Sequence, residues 1–587
     1  MNMQTYTIIE PPILAQGVLN EPGIMGTVVL MLLVVLVFMA LLIFKAKGFF
    51  EELRREKRLK SQGQVETVLE NLTEEEIEEL LKEKQVMHVN EGAESKEGIV
   101  IADKIITHVE NDAHHSPMFS KKKLSVQKID LEPGLKSVLI SYLGSSVFWL
   151  LFGTLIGQYL GLKFVWPDLD HVSWLSFGRL RPVHTNAVFW GWASLAMLGL
   201  GLFVVVRTCN TKLFSQKLAW ATLILINLSV LIGSLSLMNG INNGGGEYRE
   251  YTWPIAALFA IGLIIALYNF AKTIARRSTK EIYVSNWYIL GACTWTLILV
   301  VIGYLPFYQN GLGETIIQGY YMHQGVGMWF MTFTLGLVYY FLPQSLNKPI
   351  YSYSLGVLAF WTQMLFYTLI GTHHFVFSPL PWSLQTIAIV FSAGMLIPVI
   401  AGTTNFIMTF KGAWTNLKTS YVLPFLLVGV VFYFVGSGQG TMQAFRYSNL
   451  VWHFNDFNVA HSHMTMYGII TFFVWGGMYY LLPRLTGNSP SELMVGAHFW
   501  MAFIGLMFYM WSMMIGGTLK GMSWLTDAPF IESVKLMAPY WLWRAIGGTM
   551  MFLSHIIFAF NFVKMVRKKE EVSLAWKVTK RLQLENA

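Results

Sequence analysis

Tyr367-Thr-Leu-Ile-Gly-Thr-His373-His374 lies inside an otherwise apolar run that begins near Ser354. Two adjacent histidines in a membrane span are costly to leave unpaired, so they point to a ligand site. Tyr367 and His374 are seven residues apart. In a continuous α-helix that is two turns, one shared face and about 10 Å along the axis. The spacing predicts a metal held by the histidines with a phenol one layer deeper in the membrane.

The composition says what surrounds that stretch. The chain has 587 residues, 54% hydrophobic and only 13% charged, with a mean hydropathy of +0.48. Repeated runs of about 20 apolar residues make it an all-α polytopic membrane protein. Its net charge of +8 is not a nucleic-acid signal, because Lys and Arg gather at the ends of the apolar runs as they do in cytoplasmic loops. Cys209 and Cys293 are the two cysteines, which excludes a disulfide framework, a thiolate cluster and a Cys-x-x-Cys-His attachment site for covalent haem.

Residues 1–23 are polar with no basic n-region, and read as an extracytoplasmic tail rather than a cleavable signal. Residues 24–45 predict an extra N-terminal transmembrane helix, followed at once by Lys45, Lys47, Arg54, Arg55, Lys57 and Arg58. The positive-inside rule then makes 46–135 a cytoplasmic charged segment. Within it Thr73-Glu-Glu-Glu76 is a capping box opening a short solvated helix. Residues 136–567 predict twelve further spans, beginning near 137, 184, 216, 253, 286, 315, 352, 382, 419, 458, 491 and 538, and 568–587 form a cytoplasmic tail. No convincing internal repeat is read among these spans.

Under that topology His171, His184, His323, His373, His374, His453, His461 and His463 fall in the outer third of the membrane or in outer loops. Histidines converging at one level of a bundle are what a buried metal or haem centre requires. His461-Ser-His463 is the most informative pair. Residues two apart on a helix point about 200° away from each other, so one helix serves two pockets. Ser462 and the apolar flanks offer no carboxylate, which favours haem iron or copper over a hard cation. His498 and His555 lie elsewhere and read as structural.

Phe177-Gly-Arg-Leu-Arg-Pro-Val-His184-Thr-Asn-Ala resembles the low-spin haem motif of the cbb3-type cytochrome c oxidase catalytic subunit, in the haem–copper oxidase superfamily. Tyr321-Met-His323-Gln-Gly-Val-Gly, Tyr339-Tyr-Phe-Leu-Pro, Pro349-Ile-Tyr-Ser-Tyr-Ser, Gly371-Thr-His373-His374 and His461-Ser-His463 match the same family in order, over roughly residues 136–567. The resemblance implies a twelve-helix haem–copper oxidase bundle, here with one added N-terminal helix, in a bacterial inner membrane. It makes 136–567 the catalytic domain. It implies that His184 and His463 are the axial ligands of low-spin haem b, His461 the ligand of high-spin haem b3, and His323, His373 and His374 the ligands of copper B. Tyr367 corresponds to the family's active-site tyrosine, linked covalently to the copper ligand that His323 matches. Arg181 and His453 would pair with haem propionates, and Glu247 and Glu250 would bind calcium in their glycine-rich outer loop. The implied reaction is reduction of O2 to water, with electrons from cytochrome c arriving through a membrane-anchored c-type cytochrome subunit.

Two positions depart from that pattern. The family's Ser and His after Tyr-Ser-Tyr are replaced by Gly356 and Ala359, on the side of Tyr367 from which protons would climb. Tyr351, Ser352, Tyr353, Ser354, Thr362 and Thr368 remain as candidate relay hydroxyls. The rival reading is a nitric oxide reductase of the same superfamily, with non-haem iron in place of copper. Such enzymes set a Glu four residues after the first histidine ligand, and here that position is Gly327. Trp382 to Phe410 contains no Asp or Glu either, and both absences favour O2. A proton-coupled secondary transporter is the reading from a different class.

Overall fold

The computed structural model describes residues 131–567 except Gly245 and 306–309. The expected N-terminal helix, nearly all of segment 46–135 and the tail 568–587 lie outside the described residues. Among the described residues the regular elements are helices, with no strand. Twelve of them are long and apolar enough to cross a membrane: α1 Pro133–Val165, α2 Phe177–Cys209, α3 Gln216–Met238, α4 Trp253–Ala275, α5 Val284–Tyr304, α6 Leu312–Ser345, α7 Tyr353–Phe375, α8 Trp382–Phe410, α9 Leu423–Ala444, α10 Asp456–Thr486, α11 Glu492–Ser523 and α12 Phe530–Val566. Helices α3, α4 and α8 begin where the sequence predicts. Helices α2 and α12 begin earlier than expected. Proline ordinarily marks a helix boundary, yet Pro182 and Pro539 lie inside these two.

Burial separates three helices from the other nine. The apolar stretches of α2, α6 and α10 are each 94% buried, against 39–50% for the rest. These three form the inside of the bundle, and the others turn part of their surface to lipid. Each inner helix widens into a π-helix just past a histidine: Ala187–Ala193 after His184, Gly325–Met331 after His323, and Met464–Thr471 after His463. Such wide turns are rare outside functional sites. Each is closed the same way. The hydroxyls of Ser194, Thr332 and Thr471 donate to the carbonyls of Phe189, Gly327 and Met466 at 2.9, 2.9 and 3.0 Å.

A second repeated device ties the outer helices. Asn269 of α4 accepts from the Ser215 amide at 3.0 Å and donates to its carbonyl at 2.9 Å, while Thr273 accepts from the Phe214 amide. Asn405 of α8 treats Ser352 in the same manner at 2.9 and 2.7 Å, and Thr409 accepts from the Tyr351 amide. Both serines also cap the helix they precede, α3 and α7. Among the described residues α1–α4 and α5–α8 thus share this tie, and these two sets and α9–α12 each place a π-widened inner helix second, making three similar units. The hydropathy pattern conceals this repetition.

Helix α7 departs from expectation. Its α-helical part ends at Phe366, and two 3-10 turns follow, Tyr367–Leu369 and Gly371–Phe375. The cause lies on α6. Gly371 packs directly on the Gly319 backbone, and a Cβ there would overlap the Gly319 carbonyl. Tyr367 and His374 therefore do not stand on one α-helical face.

Candidate metal and haem centre

His461 and His463 stand at the end of the first α-helical part of α10 and serve two places, as their spacing requires. On one side His463 meets His184 of α2, with ring centroids 6.4 Å apart and planes within 13° of parallel. The His184 Nδ1–H donates to the Gly153 carbonyl at 2.7 Å, and the His463 Nδ1–H to the Val459 carbonyl at 2.8 Å. A carbonyl only accepts, so each Nδ1 carries the proton and each Nε2 keeps its lone pair for a metal. A metal–nitrogen bond of about 2 Å plus the ring's own radius puts two opposed imidazoles about 6 Å apart, which fits this pair. Tyr509 of α11 packs on His463, with ring centroids 4.3 Å apart and planes tilted by 34°.

On the other side, His323 of α6 and His373 and His374 of α7 form a compact triad. Their potential ligand atoms all lie within 4.8 Å of one another, close enough to bind a single ion. The ring centroids are 4.6 Å (His323–His373), 5.0 Å (His323–His374) and 4.5 Å (His373–His374) apart. The Ser392 hydroxyl donates to the Ala388 carbonyl, so it accepts from the His373 Nδ1–H at 2.7 Å and leaves Nε2 free. His323 Nδ1 is buried without a partner, which is unusual for a polar atom unless a ligand satisfies it. Three imidazoles and no thiolate suit copper.

His461 points its Nδ1 at the Gln439 side-chain oxygen, 2.9 Å away. One turn of α9 serves both His461 and the triad's support, since Thr441, two residues on, donates to the Ser392 carbonyl at 3.1 Å. Tyr367 lies against the triad, its ring 5.2 Å from that of His323 at 63°. Gln324, 1% exposed, donates to the Tyr367 carbonyl. A Cβ on Gly327 would overlap the Tyr367 ring, so the glycine makes room for the phenol.

Of the other expected residues, His171 is exposed and joins neither cluster. His453 packs 5.7 Å from His374, beside the triad rather than the His184–His463 pair. Burial holds its imidazole down at about 4. Arg181 pairs with Glu247 at 2.5 Å, while Glu250 is buried and accepts from Asn186 at 2.9 Å. Burial pushes the Glu250 carboxyl up to about 7, partly offset by the Asn186 hydrogen bond. Of the candidate relay hydroxyls, Tyr351, Tyr353 and Ser354 face outward, Ser352 caps α7, and Thr362 and Thr368 bond their own helix. Gly356 lies against Tyr339, and Ala359 is fully buried. Within the α-helical part Tyr353–Phe366, the buried Gln363 donates to Thr332 at 2.7 Å.

Several of these residues carry little sequence signal. Gln439 lies in a Gly-rich stretch of an apolar helix, and Ser392 looks like ordinary packing. Arg544 of α12 sits over the rings of Phe164 and Tyr509 at 4.4 and 5.6 Å, one ring removed from His463, with its Nε unpartnered. Only an intramembrane cation marks it in the sequence.

A bundle of twelve apolar helices among the described residues, carrying a facing pair of histidines and a cluster of three, defines a polytopic membrane protein with candidate metal sites. The sequence matches the family described as cytochrome c and quinol oxidase polypeptide I over residues 137–550, and the chain belongs to that family of haem–copper oxidases. It is similar to the cbb3-type cytochrome c oxidase subunit CcoN1 of Stutzerimonas stutzeri, 32% identical over 72% of this chain and 93% of that one. It is also similar to the cytochrome c oxidase subunit 1 homolog of Agrobacterium tumefaciens, 31% identical over 71% and 81% of the two chains. The fold matches a solved haem–copper terminal oxidase dimer with a TM-score of 0.64 at 15% identity, covering 76% of this chain and 86% of that one. The chain is thus a multi-pass oxidoreductase subunit of a bacterial membrane complex, in a family that uses haem and copper.

Proposed function

We propose that the chain is the catalytic subunit of a cbb3-type cytochrome c oxidase, reducing O2 to water. The observation that carries this reading is the two-sided use of α10: His463 faces His184, and His461 faces away from that pair. His184 and His463 would hold a low-spin haem b, His461 the haem b3, and His323, His373 and His374 the copper. Once bound, these groups supply electron storage and the site where O2 is reduced.

The protein's own part is orientation and proton supply. Gly153, Val459, Gln439 and Ser392 fix the histidine tautomers through their Nδ1 atoms. The Tyr367 hydroxyl, held against His323, is the nearby proton source. Arg181, Arg544 and His453 would meet the propionates, and Glu247 and Glu250 a calcium ion. With no Cys-x-x-Cys-His in the sequence, electrons from cytochrome c enter through a partner c-type cytochrome subunit. The Tyr367 ring fills the space beside Gly327 where a nitric oxide reductase would carry its glutamate, and this favours O2 over NO.

Metal analysis of the purified complex, alongside turnover with O2 and with NO, tests the reading. The expected result is one copper for each pair of b-type haems in this subunit, and O2 consumption faster than NO consumption. Non-haem iron without copper, with NO the better substrate, would establish the reductase instead.

A further inference from the structure

Behind the paired histidines lies a second buried cluster that neither metal position uses. It is centred on His555 of α12, 1% exposed. His555 Nδ1 lies 3.0 Å from the Thr154 hydroxyl of α1, and His555 Nε2 lies 2.9 Å from the Tyr467 hydroxyl of α10. These contacts reach both proposed haem ligands. Thr154 adjoins Gly153, whose carbonyl takes the His184 proton, and Tyr467 is one turn beyond His463.

The hydrogen-bond directions are determined. Thr154 donates to the Leu150 carbonyl at 2.6 Å, so its oxygen accepts from His555 Nδ1–H. His555 Nε2 is therefore the acceptor, and the Tyr467 hydroxyl donates to it. Tyr467 also has an alternative. The Ser554 hydroxyl is 3.4 Å away and donates to the Met551 carbonyl at 2.6 Å, so it is free to accept. If Nε2 gains a proton, the Tyr467 hydroxyl can turn to Ser554 and accept from His555.

From His555 the cluster continues away from the haem level. Trp475 lies 5.6 Å from His555, and His498 of α11 lies 4.3 Å from Trp475. His498 Nδ1 is 3.1 Å from the Tyr479 hydroxyl, which also accepts from Asn561 at 3.1 Å. The Tyr479 ring reaches within 6.2 Å of Tyr421, which precedes α9 at the cytoplasmic end. Asn561 occupies the place in its unit that Asn269 and Asn405 hold in theirs, but it turns inward instead of tying a loop. Trp475 Nε1, His498 Nε2 and Asn561 Oδ1 are unpartnered, on side chains that are all 0% exposed. Buried polar atoms of this kind are ordinarily satisfied by ordered water.

The groups facing His555 are all uncharged: Thr154 from α1, Tyr467 and Trp475 from α10, Ser554 on its own helix, and His498 from α11 behind Trp475. Among the described residues no ion pair lies in this cluster. A charge on the haem would thus act on His555 without a nearby counter-ion.

We propose that His555 is a proton-accepting positioning residue for the low-spin haem, supplied from the cytoplasmic side through water held by Asn561, Tyr479, His498 and Trp475. This rests on the reading of His184 and His463 as ligands of one haem. His555 Nε2 would take one proton from cytoplasmic water when that haem is reduced. Its N–H bond would form as a water O–H bond breaks and the Tyr467 hydroxyl turns to Ser554, and the proton would return along the same route when the haem is reoxidised.

Redox titration of the low-spin haem absorbance between pH 6 and 9, on the whole purified complex, tests this. A one-electron, one-proton couple falls by up to 59 mV for each tenfold drop in proton concentration, and the wild type is expected to approach that slope over part of the range. His555→Gln keeps a donor and an acceptor but cannot take the proton, so its slope should flatten. A flat wild-type profile, or an unchanged slope in His555→Gln, overturns the proposal. If His555→Gln loses its haem, Tyr467→Phe serves. Removing the hydroxyl switch should move the onset of the slope by about one pH unit, and no movement overturns the proposal. A wild-type complex without a low-spin haem signal would instead overturn the ligand reading, and this inference with it.

Discussion

At the scale of single residues, the placement of Tyr367, the proposed active-site tyrosine, depends on an absent side chain. Gly327 sits where the Tyr367 ring must lie, and even a methyl group would overlap the ring. Gln324 holds the Tyr367 backbone from one side, and Gln363, one turn earlier on the helix, is fixed by Thr332. The phenol is therefore placed by α6 as much as by its own helix. Gly327→Ala should push the ring away from His323 and lower O2 turnover roughly 100-fold, the scale expected when a reacting group moves by about 1 Å. The low-spin haem spectrum should stay intact, because His184 and His463 lie on α2 and α10. Turnover near wild type in a variant with normal spectra would mean that Tyr367 is not in the reaction. The motifs around these residues were readable because the chemistry demands particular side chains. Gln324 and Gln363 escaped notice because an amide in an apolar span has no meaning until its partners are known.

Among the helices, the wide turns after His184, His323 and His463 share one construction. Ser194, Thr332 and Thr471 each donate to a carbonyl five residues back, and each hydroxyl also accepts from a neighbouring side chain: Trp329 at 2.8 Å, Gln363 at 2.7 Å and Trp192 at 3.1 Å respectively. Ser194→Ala, Thr332→Val and Thr471→Val each strand a carbonyl and a donor inside the bundle, at a cost of about 1–3 kcal/mol. All three should lower the thermal midpoint of the complex. Only Thr332→Val should also slow turnover at given haem content, because it frees Gln363 beneath Tyr367. Three unshifted midpoints would refute the account. No periodicity in the sequence announces a π-helix, since the residues involved are ordinary for an apolar helix. The same holds for the 3-10 turns from Tyr367 to Phe375, whose cause is the Gly319 backbone of another helix. Local sequence cannot reveal a close approach made at long range.

For the molecule as a whole, apolar runs of membrane-spanning length made the twelve helices legible, and the depth of the histidines made their gathering into a facing pair and a cluster of three legible. The threefold repetition was not, because a few Asn, Ser and Thr residues near helix ends carry it while the apolar residues between them vary freely. Its energetic content is testable. Asn269 and Asn405 each make two hydrogen bonds to the serine that caps the preceding helix. In the third unit Asn561 is diverted to Tyr479, and the loop residue Asn488 caps α12 instead, donating to the carbonyls of Met565 and Arg567. Alanine at 269 or 405 leaves a serine amide and carbonyl without their partners, and each should cost about 1–3 kcal/mol, with similar losses in thermal midpoint for the two variants. Asn488→Ala exposes only helix-end carbonyls, some of which water can reach, and should cost less. Alanine at 269 and 405 with widely different losses, or a larger loss at 488, would mean that the resemblance among the three units is one of shape and not of the forces that hold them.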